Sequence, residues 1–151
     1  MEKIRIYLDN CCFNRSYDDQ SQLRIELETK AKLFIQDLVL SGQIVLAWSY
    51  MLNFENGKNP FVQRRFAIQK WRDLATSDTG ETSGILRMAR TLAGSGLRAA
   101  DALHLACAAA LGCDYFVTVD VGILKKANDL PIVVCDPVNF FRIWEEISCG
   151  E

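Results

Sequence analysis

Short apolar runs alternate with helical patterns along this chain, and that alternation narrows the fold more than any other feature. Ile4 to Leu8, Ile44 to Ala47, Tyr115 to Val119 and Ile132 to Cys135 all have strand length. Between them lie segments whose apolar residues recur every three to four positions, the spacing of a helix face. Strands that alternate with helices pair in parallel, are covered on both faces and are joined by right-handed crossovers. The expected fold is therefore α/β: a three-layer α/β/α arrangement with a central parallel sheet, formed by residues 1–151 as one domain. A chain of this length buries roughly 70% of its unfolded surface.

The helical patterns place individual residues. Leu23, Leu27, Ala31, Phe34 and Leu38, interleaved with Glu26, Lys30, Lys32 and Asp37, predict an amphipathic helix over 23–41 that stops at Gly42. It follows a polar stretch from Asn14 to Gln22. A short helix is expected from Ser49 to Glu55. Asn59-Pro60 has the residue types to cap and start another, carrying Phe61, Phe66, Ile68, Trp71 and Leu74. Thr76 to Gly84 reads as a loop, Ile85 to Leu92 as a helix broken by Gly94-Ser95-Gly96, and Ala99 to Leu111 as a nearly all-apolar, buried helix. A short helix ending near Asn128 and a final one after Pro137 complete the pattern.

Composition excludes several classes. The net charge is −2, far from the basic balance of a general nucleic-acid coat. It does not exclude a nuclease, because carboxylates committed to metal lower the total. Basic residues cluster locally at Arg64-Arg65, Lys70-Arg72, Arg87-Arg90 and Arg98. No apolar run approaches the ~20 residues of a membrane span, and Met1-Glu2-Lys3 leads straight into a strand pattern, so a cytoplasmic protein without membrane contact is expected. The six cysteines include no Cys-x-x-Cys, and His104 is the sole histidine, which leaves a zinc site without ligands at usual spacings. Reduced thiols acting as small hydrophobes account for them.

Four acids stand where a parallel sheet would collect them. Asp9 ends the first run, and Glu55 follows the second by one or two helical turns. Asp101 opens the Ala99 helix, and Asp120 ends the run from Tyr115. Ligands of open α/β sheets bind outside the carboxyl ends of the strands. Singly, each acid also has a structural reading: Asp9 ordering a turn, Asp101 favouring the positive end of its helix, Asp120 capping the next helix and Glu55 as a solvated helix residue. Together they repel: two unit charges ~4 Å apart cost about 4 kcal/mol at an effective dielectric near 20. Such a group raises its pKa values or binds a cation. Carboxylates without thiolate or imidazole suit Mg²⁺ or Mn²⁺, and a metal-activated water is the usual means of cutting a phosphodiester.

These segments resemble the PIN-domain family, the ribonuclease domain shared by VapC-type toxins. Ile6-Tyr7-Leu8-Asp9-Asn10 is similar to its opening strand and first metal-binding aspartate. Ser49 with Glu55 six residues on resembles its Ser/Thr-to-Glu segment. Asp101-Ala102-Leu103-His104-Leu105-Ala106 resembles its most specific helix, Thr118-Val119-Asp120 its last acidic turn, and Pro137 the start of its closing helix. Asn10-Cys11-Cys12 departs from the small hydroxyl residue and aliphatics frequent at that place. The resemblance implies Mg²⁺ or Mn²⁺ held by Asp9, Asp101, Glu55 and Asp120 as catalytic groups. Thr118, Asn10 and Ser49 would support them through hydrogen bonds, and Arg98 would contact phosphate. It also implies an RNA substrate, an antitoxin protein as partner and a homodimer. His104, one turn after Asp101, is expected to pack or hydrogen-bond inside its helix rather than act as a base.

Other classes fit less well. A haloacid-dehalogenase-like phosphatase needs a second Asp two residues after the first, where Cys11 stands. A dinucleotide-binding turn needs glycines, and Asp9 to Asn14 has none. A structure-specific DNA nuclease and a catalytically silent interaction module of the same fold remain as alternatives. The second is favoured by the acidic pI and the long helix over 23–41.

Overall fold

The computed structural model describes residues 2–150. Five strands form one sheet: β1 (Arg5–Leu8), β2 (Val45–Ser49), β3 (Ser77–Thr79), β4 (Tyr115–Val117) and β5 (Val133–Cys135). Their order is β3-β2-β1-β4-β5, and every neighbouring pair is parallel. Helices flank the sheet, as the alternating pattern requires. The chain steps outward from β1 to β2 and β3, then returns to place β4 on the other side of β1. That reversal opens a crevice at the carboxyl ends of β1 and β4, the place where open α/β sheets bind ligands.

The sheet is buried because its strands are apolar on both faces. Ile6, Tyr7, Leu8, Leu46, Ala47, Trp48, Phe116 and Val117 are all buried. Tyr7 lies opposite Phe116 in register, and the two rings stack at 5.2 Å between centroids. Helix α7 (Ala99–Ala110) is buried at Ala102, Leu105, Ala106, Cys107 and Ala108; its small residues let α6 (Ser83–Ala93) pack closely against it. Thr82 caps α6 by accepting from the Ile85 amide at 3.1 Å. Helix α9 (Pro137–Cys149) starts at its proline, with Asp136 accepting from the Asn139 amide at 2.7 Å. All six cysteines are free. Among the described residues, no helix is long and apolar enough to cross a membrane.

Several local expectations are corrected. The polar stretch after Asp9 begins with a short helix, α1 (Asn10–Asn14), followed by a 3-10 turn over Arg15–Tyr17. Helix α2 (Leu23–Leu40) forms as expected and stops at Gly42, whose φ of +75° suits glycine. Its buried stripe, however, is largely polar: Glu28, Thr29, Lys32 and Gln36 face inward with Ile35 and Leu38, while Leu23 is 69% exposed. The cause is the 3-10 turn, because Arg15 donates to Glu28 from Nε at 3.0 Å and Nη2 at 2.6 Å. Lys32 Nζ reaches Ser16 at 3.3 Å and Gln36 at 3.1 Å. Of the five apolar positions that defined the expected inner face, only Leu38 is fully buried.

Helix α3 (Tyr50–Gly57) is capped by Ser49, whose hydroxyl accepts from the Leu52 amide at 3.3 Å. The next helix begins two residues later than Asn59-Pro60 suggests. It splits into α4 (Val62–Gln69) and α5 (Trp71–Leu74). Asn59 instead turns the chain, accepting from the Phe61 amide at 3.0 Å. Of the apolar residues expected to anchor this segment, Ile68 is buried, while Phe61, Phe66 and Leu74 are exposed. The presumed loop at 76–84 contains β3, a three-residue edge strand made only of Ser, Asp and Thr. The strand from Tyr115 ends at Val117, and α8 (Val121–Leu124) follows Asp120.

Candidate active site

The reversal of strand order brings Asp9 and Asp120 to neighbouring strand ends. Asp9 follows β1, and its amide donates to the Val117 carbonyl at 2.9 Å, extending the pairing with β4. Its side chain caps α1 through the Asn10 amide at 2.8 Å. Thr118 connects the two acids: its hydroxyl donates to Asp9 Oδ2 at 2.8 Å and accepts from the Asp120 amide at 3.1 Å. Asp120 caps α8, accepting from the amides of Gly122 at 2.8 Å and Ile123 at 3.3 Å. Asp120 thus caps the helix that follows it, as its structural reading expects, and Asp9, expected to order a turn, caps one as well.

Asp101 joins them from the first turn of α7. Burial, then the charges of Asp120 and Asp9, push its carboxyl up to about 6, against the opposing charges of His104 and Arg98. Asp9 is also raised, chiefly by burial, with His104 and the Thr118 hydrogen bond pulling the other way. Arg98, exposed just before α7, contributes its positive charge to this edge.

Glu55 is held differently. Its Oε1 is bonded to His104 Nε2, and its Oε2 accepts from Asn10 Nδ2 at 3.5 Å. His104 Nδ1 lies 2.6 Å from the Tyr7 hydroxyl, which lies 2.6 Å from Ser49 Oγ. Ser49, expected beside the carboxylates, thus reaches Glu55 only through Tyr7 and His104. Burial alone raises Glu55, but the His104 hydrogen bond and charge outweigh it and hold the carboxyl below its ordinary value. For His104, burial favours the neutral ring, yet the Glu55 bond, then the Asp9 charge, raise it above its ordinary value. With both ring nitrogens protonated, His104 donates to Glu55 and to Tyr7, leaving the Tyr7 O–H for Ser49.

His104 thus hydrogen-bonds inside the protein, as expected, but its partner is one of the four acids. Its place one helical turn after Asp101 signals proximity to that aspartate alone; the contact with Glu55 is made across helices. Cys11 lies in the segment where the sequence departs from the small hydroxyl residue of the PIN pattern. Its thiol lies 3.4 Å from Asp9 Oδ2 and 3.4 Å from Thr118 Oγ1, taking the place of a hydroxyl beside the first aspartate.

The donor set suits a hard divalent cation. The charges of Asp120 and Asp9 both act on Asp101 at this edge, and Asn10 Oδ1, next to Asp9 in the chain, is buried without a hydrogen-bond partner, an open oxygen donor. Asp9, Asp101 and Asp120 are the candidate ligands for such an ion, while Glu55 is engaged by His104. Among the described residues, no three His, Cys, Asp or Glu side chains form a ready-made ligand cluster.

A parallel five-stranded sheet of this order, flanked by helices, is an α/β architecture of PIN-like fold. Solved structures share the fold. A chain of VapBC2 from Rickettsia felis, bound to a DNA fragment from their promoter, matches with a TM-score of 0.53 and 14% identity, covering 88% of this chain and 98% of that one. A chain of VapBC-1 from nontypeable Haemophilus influenzae matches with a TM-score of 0.52 and 15% identity over 89% of this chain and 98% of that one. No protein-family model and no curated protein matches the chain.

Proposed function

We propose that this chain is a metal-dependent endoribonuclease of the VapC type, with Asp9, Asp101 and Asp120 as its central carboxylates. The observation that carries the reading is the convergence of these three acids from separate elements, where burial, then the charges of Asp120 and Asp9, push Asp101 up to about 6. An uncompensated charge of that kind is maintained at functional sites more often than elsewhere. Mg²⁺ or Mn²⁺, when bound, supplies an activated water and neutralises charge on a phosphodiester. Around it, Thr118 and the Asn10 amide fix the orientation of the Asp9 carboxylate, and Arg98 offers a guanidinium fork to a phosphate. His104 keeps Glu55 ionised and oriented. The shared fold with VapBC chains supports a partner of the antitoxin class.

One observation favours the silent interaction module: Glu55 is committed to His104 and Asn10, and no ligand cluster is preformed. Incubation of the purified protein with structured RNAs and Mn²⁺ or Mg²⁺ separates the readings. Cleavage that disappears with EDTA and in Asp9→Ala supports the ribonuclease. No cleavage in any condition, with no Mn²⁺ binding, supports the module.

A further inference from the structure

We infer that the exposed aromatic and basic residues of α3, α4 and the turn joining them form a stacking platform for single-stranded RNA, feeding the strand toward the acidic crevice. This rests on the ribonuclease reading and names how its substrate is held. Phe54, Phe61 and Phe66 are 56%, 53% and 61% exposed. Each ring carries a cation: Lys58 Nζ lies 4.1 Å from the centre of Phe54, and the Arg64 guanidinium 3.9 Å from Phe61 and 4.9 Å from Tyr17. The Arg65 guanidinium lies 5.9 Å from Phe66. Exposed rings interleaved with arginine planes stack unpaired bases, while the charges track the phosphates.

Charge selects nucleic acid over other occupants. From Asn56 to Arg72 the chain carries five basic residues and no acid, although the whole chain is −2; Arg72 is paired with Asp78 at 3.5 Å, which leaves Lys58, Arg64, Arg65 and Lys70. The other apolar face, between α2 and α9, has no such complement. There Leu27, Ala31, Phe34, Val138 and Phe141 surround a single cation, Lys30, which is paired with Glu26 at 3.0 Å.

Position links the platform to the crevice. Phe54 adjoins Glu55 on α3, and α3 is tied to α4 by Asn56 Nδ2, which donates to the Arg65 carbonyl at 2.9 Å. Asn59 Nδ2 donates to Asn14 Oδ1 at 3.3 Å, fastening the approach to α4 onto the last residue of α1. Asp9 caps the other end of that helix, about 7 Å away at 1.5 Å per residue. Arg65 is steadied by the Asn59 carbonyl at 2.9 Å.

The test is fluorescence anisotropy of a labelled short oligouridylate with the full chain in EDTA, where binding is read without cleavage. Phe61→Ala and Phe66→Ala should each weaken binding roughly 5- to 150-fold, the range of one lost base stack. Arg64→Gln should flatten the salt dependence, and Phe141→Ala should change nothing. Because the rings are exposed, unchanged unfolding midpoints check that the variants are folded. Wild-type affinity in both ring variants overturns the platform, as does absence of oligouridylate binding by the wild type. Ring-dependent self-association in sedimentation velocity, with RNA binding unaffected, overturns it in favour of a second copy of the chain. Ring-dependent RNA binding without Mn²⁺-dependent cleavage keeps the platform and removes the ribonuclease reading. Mn²⁺-dependent cleavage with unchanged KM in the ring variants keeps the nuclease and removes the platform.

Discussion

His104 on α7 holds Glu55 on α3 through its Nε2, while its Nδ1 faces the Tyr7 hydroxyl 2.6 Å away in the central strand. One buried ring thereby couples the sheet, the helix that carries Asp101 and the helix that carries Glu55.

That coupling has a pH signature. Glu55 is held below its ordinary 4.5, so its contribution to stability is present above 4.5 and is lost as pH falls through the lowered value. His104 is held above its ordinary 6.5, so its contribution is complete below 6.5 and is lost as pH rises through the raised value. The stability difference between wild type and Glu55→Gln, from urea unfolding, should therefore peak between pH 4.5 and 6.5 and shrink on both sides. A difference independent of pH would contradict the pair.

Asp101 behaves in the opposite sense. Its folded value of about 6 lies above the ordinary 3.8, so ionisation weakens the fold as pH rises through 6. Asp101→Asn should abolish cleavage yet stabilise the protein by about 1 kcal/mol at neutral pH, a figure already reduced for solvent screening of a half-buried group. The gain should vanish in acid below the ordinary value. Thermal unfolding across pH checks it, and a variant less stable than wild type at neutral pH would show that the Asp101 carboxylate is not penalised by burial and by the charges of Asp120 and Asp9.

Thr118 bridges Asp9 and Asp120 with one hydroxyl. Thr118→Val keeps the shape and removes the bridge. Losing such a supporting hydrogen bond should weaken Mn²⁺ binding about 10- to 100-fold while the chain stays folded. Calorimetry reads the affinity directly.

Helix α2 offers a contrast between two faces. Glu28→Ala leaves Arg15 without its main partner and should cost about 2 kcal/mol, less than a fully buried pair because Arg15 is partly exposed. Leu23→Ala on the exposed side should change stability by no more than about 0.5 kcal/mol. Denaturant midpoints of the two variants decide which face is inside.

The difference between these faces explains what the sequence could and could not convey. Strand runs such as Ile4 to Leu8 are apolar on both sides, so period and composition reveal them. The three residues of β3, Ser77, Asp78 and Thr79, lie at the sheet margin and need no hydrophobic signature. The inner face of α2 was hidden because its polar stripe is satisfied by Arg15 and Ser16, residues joined to it only by tertiary structure. Within the site, Asp9 and Asp120 were legible from their places at strand ends. The hold of His104 on Glu55 crosses from one helix to another and has no local pattern. Exposure of Phe61 and Phe66 was equally silent, because an apolar residue in a helix reads as core until the packing is known.

The central claim is that Asp9, Asp101 and Asp120 together hold a divalent cation, and titration calorimetry with Mn²⁺ tests it most directly. The account predicts saturable binding by the wild-type protein that is lost in both Asp9→Asn and Asp101→Asn. Equal Mn²⁺ binding in wild type and both variants, or none in the wild type, would contradict it.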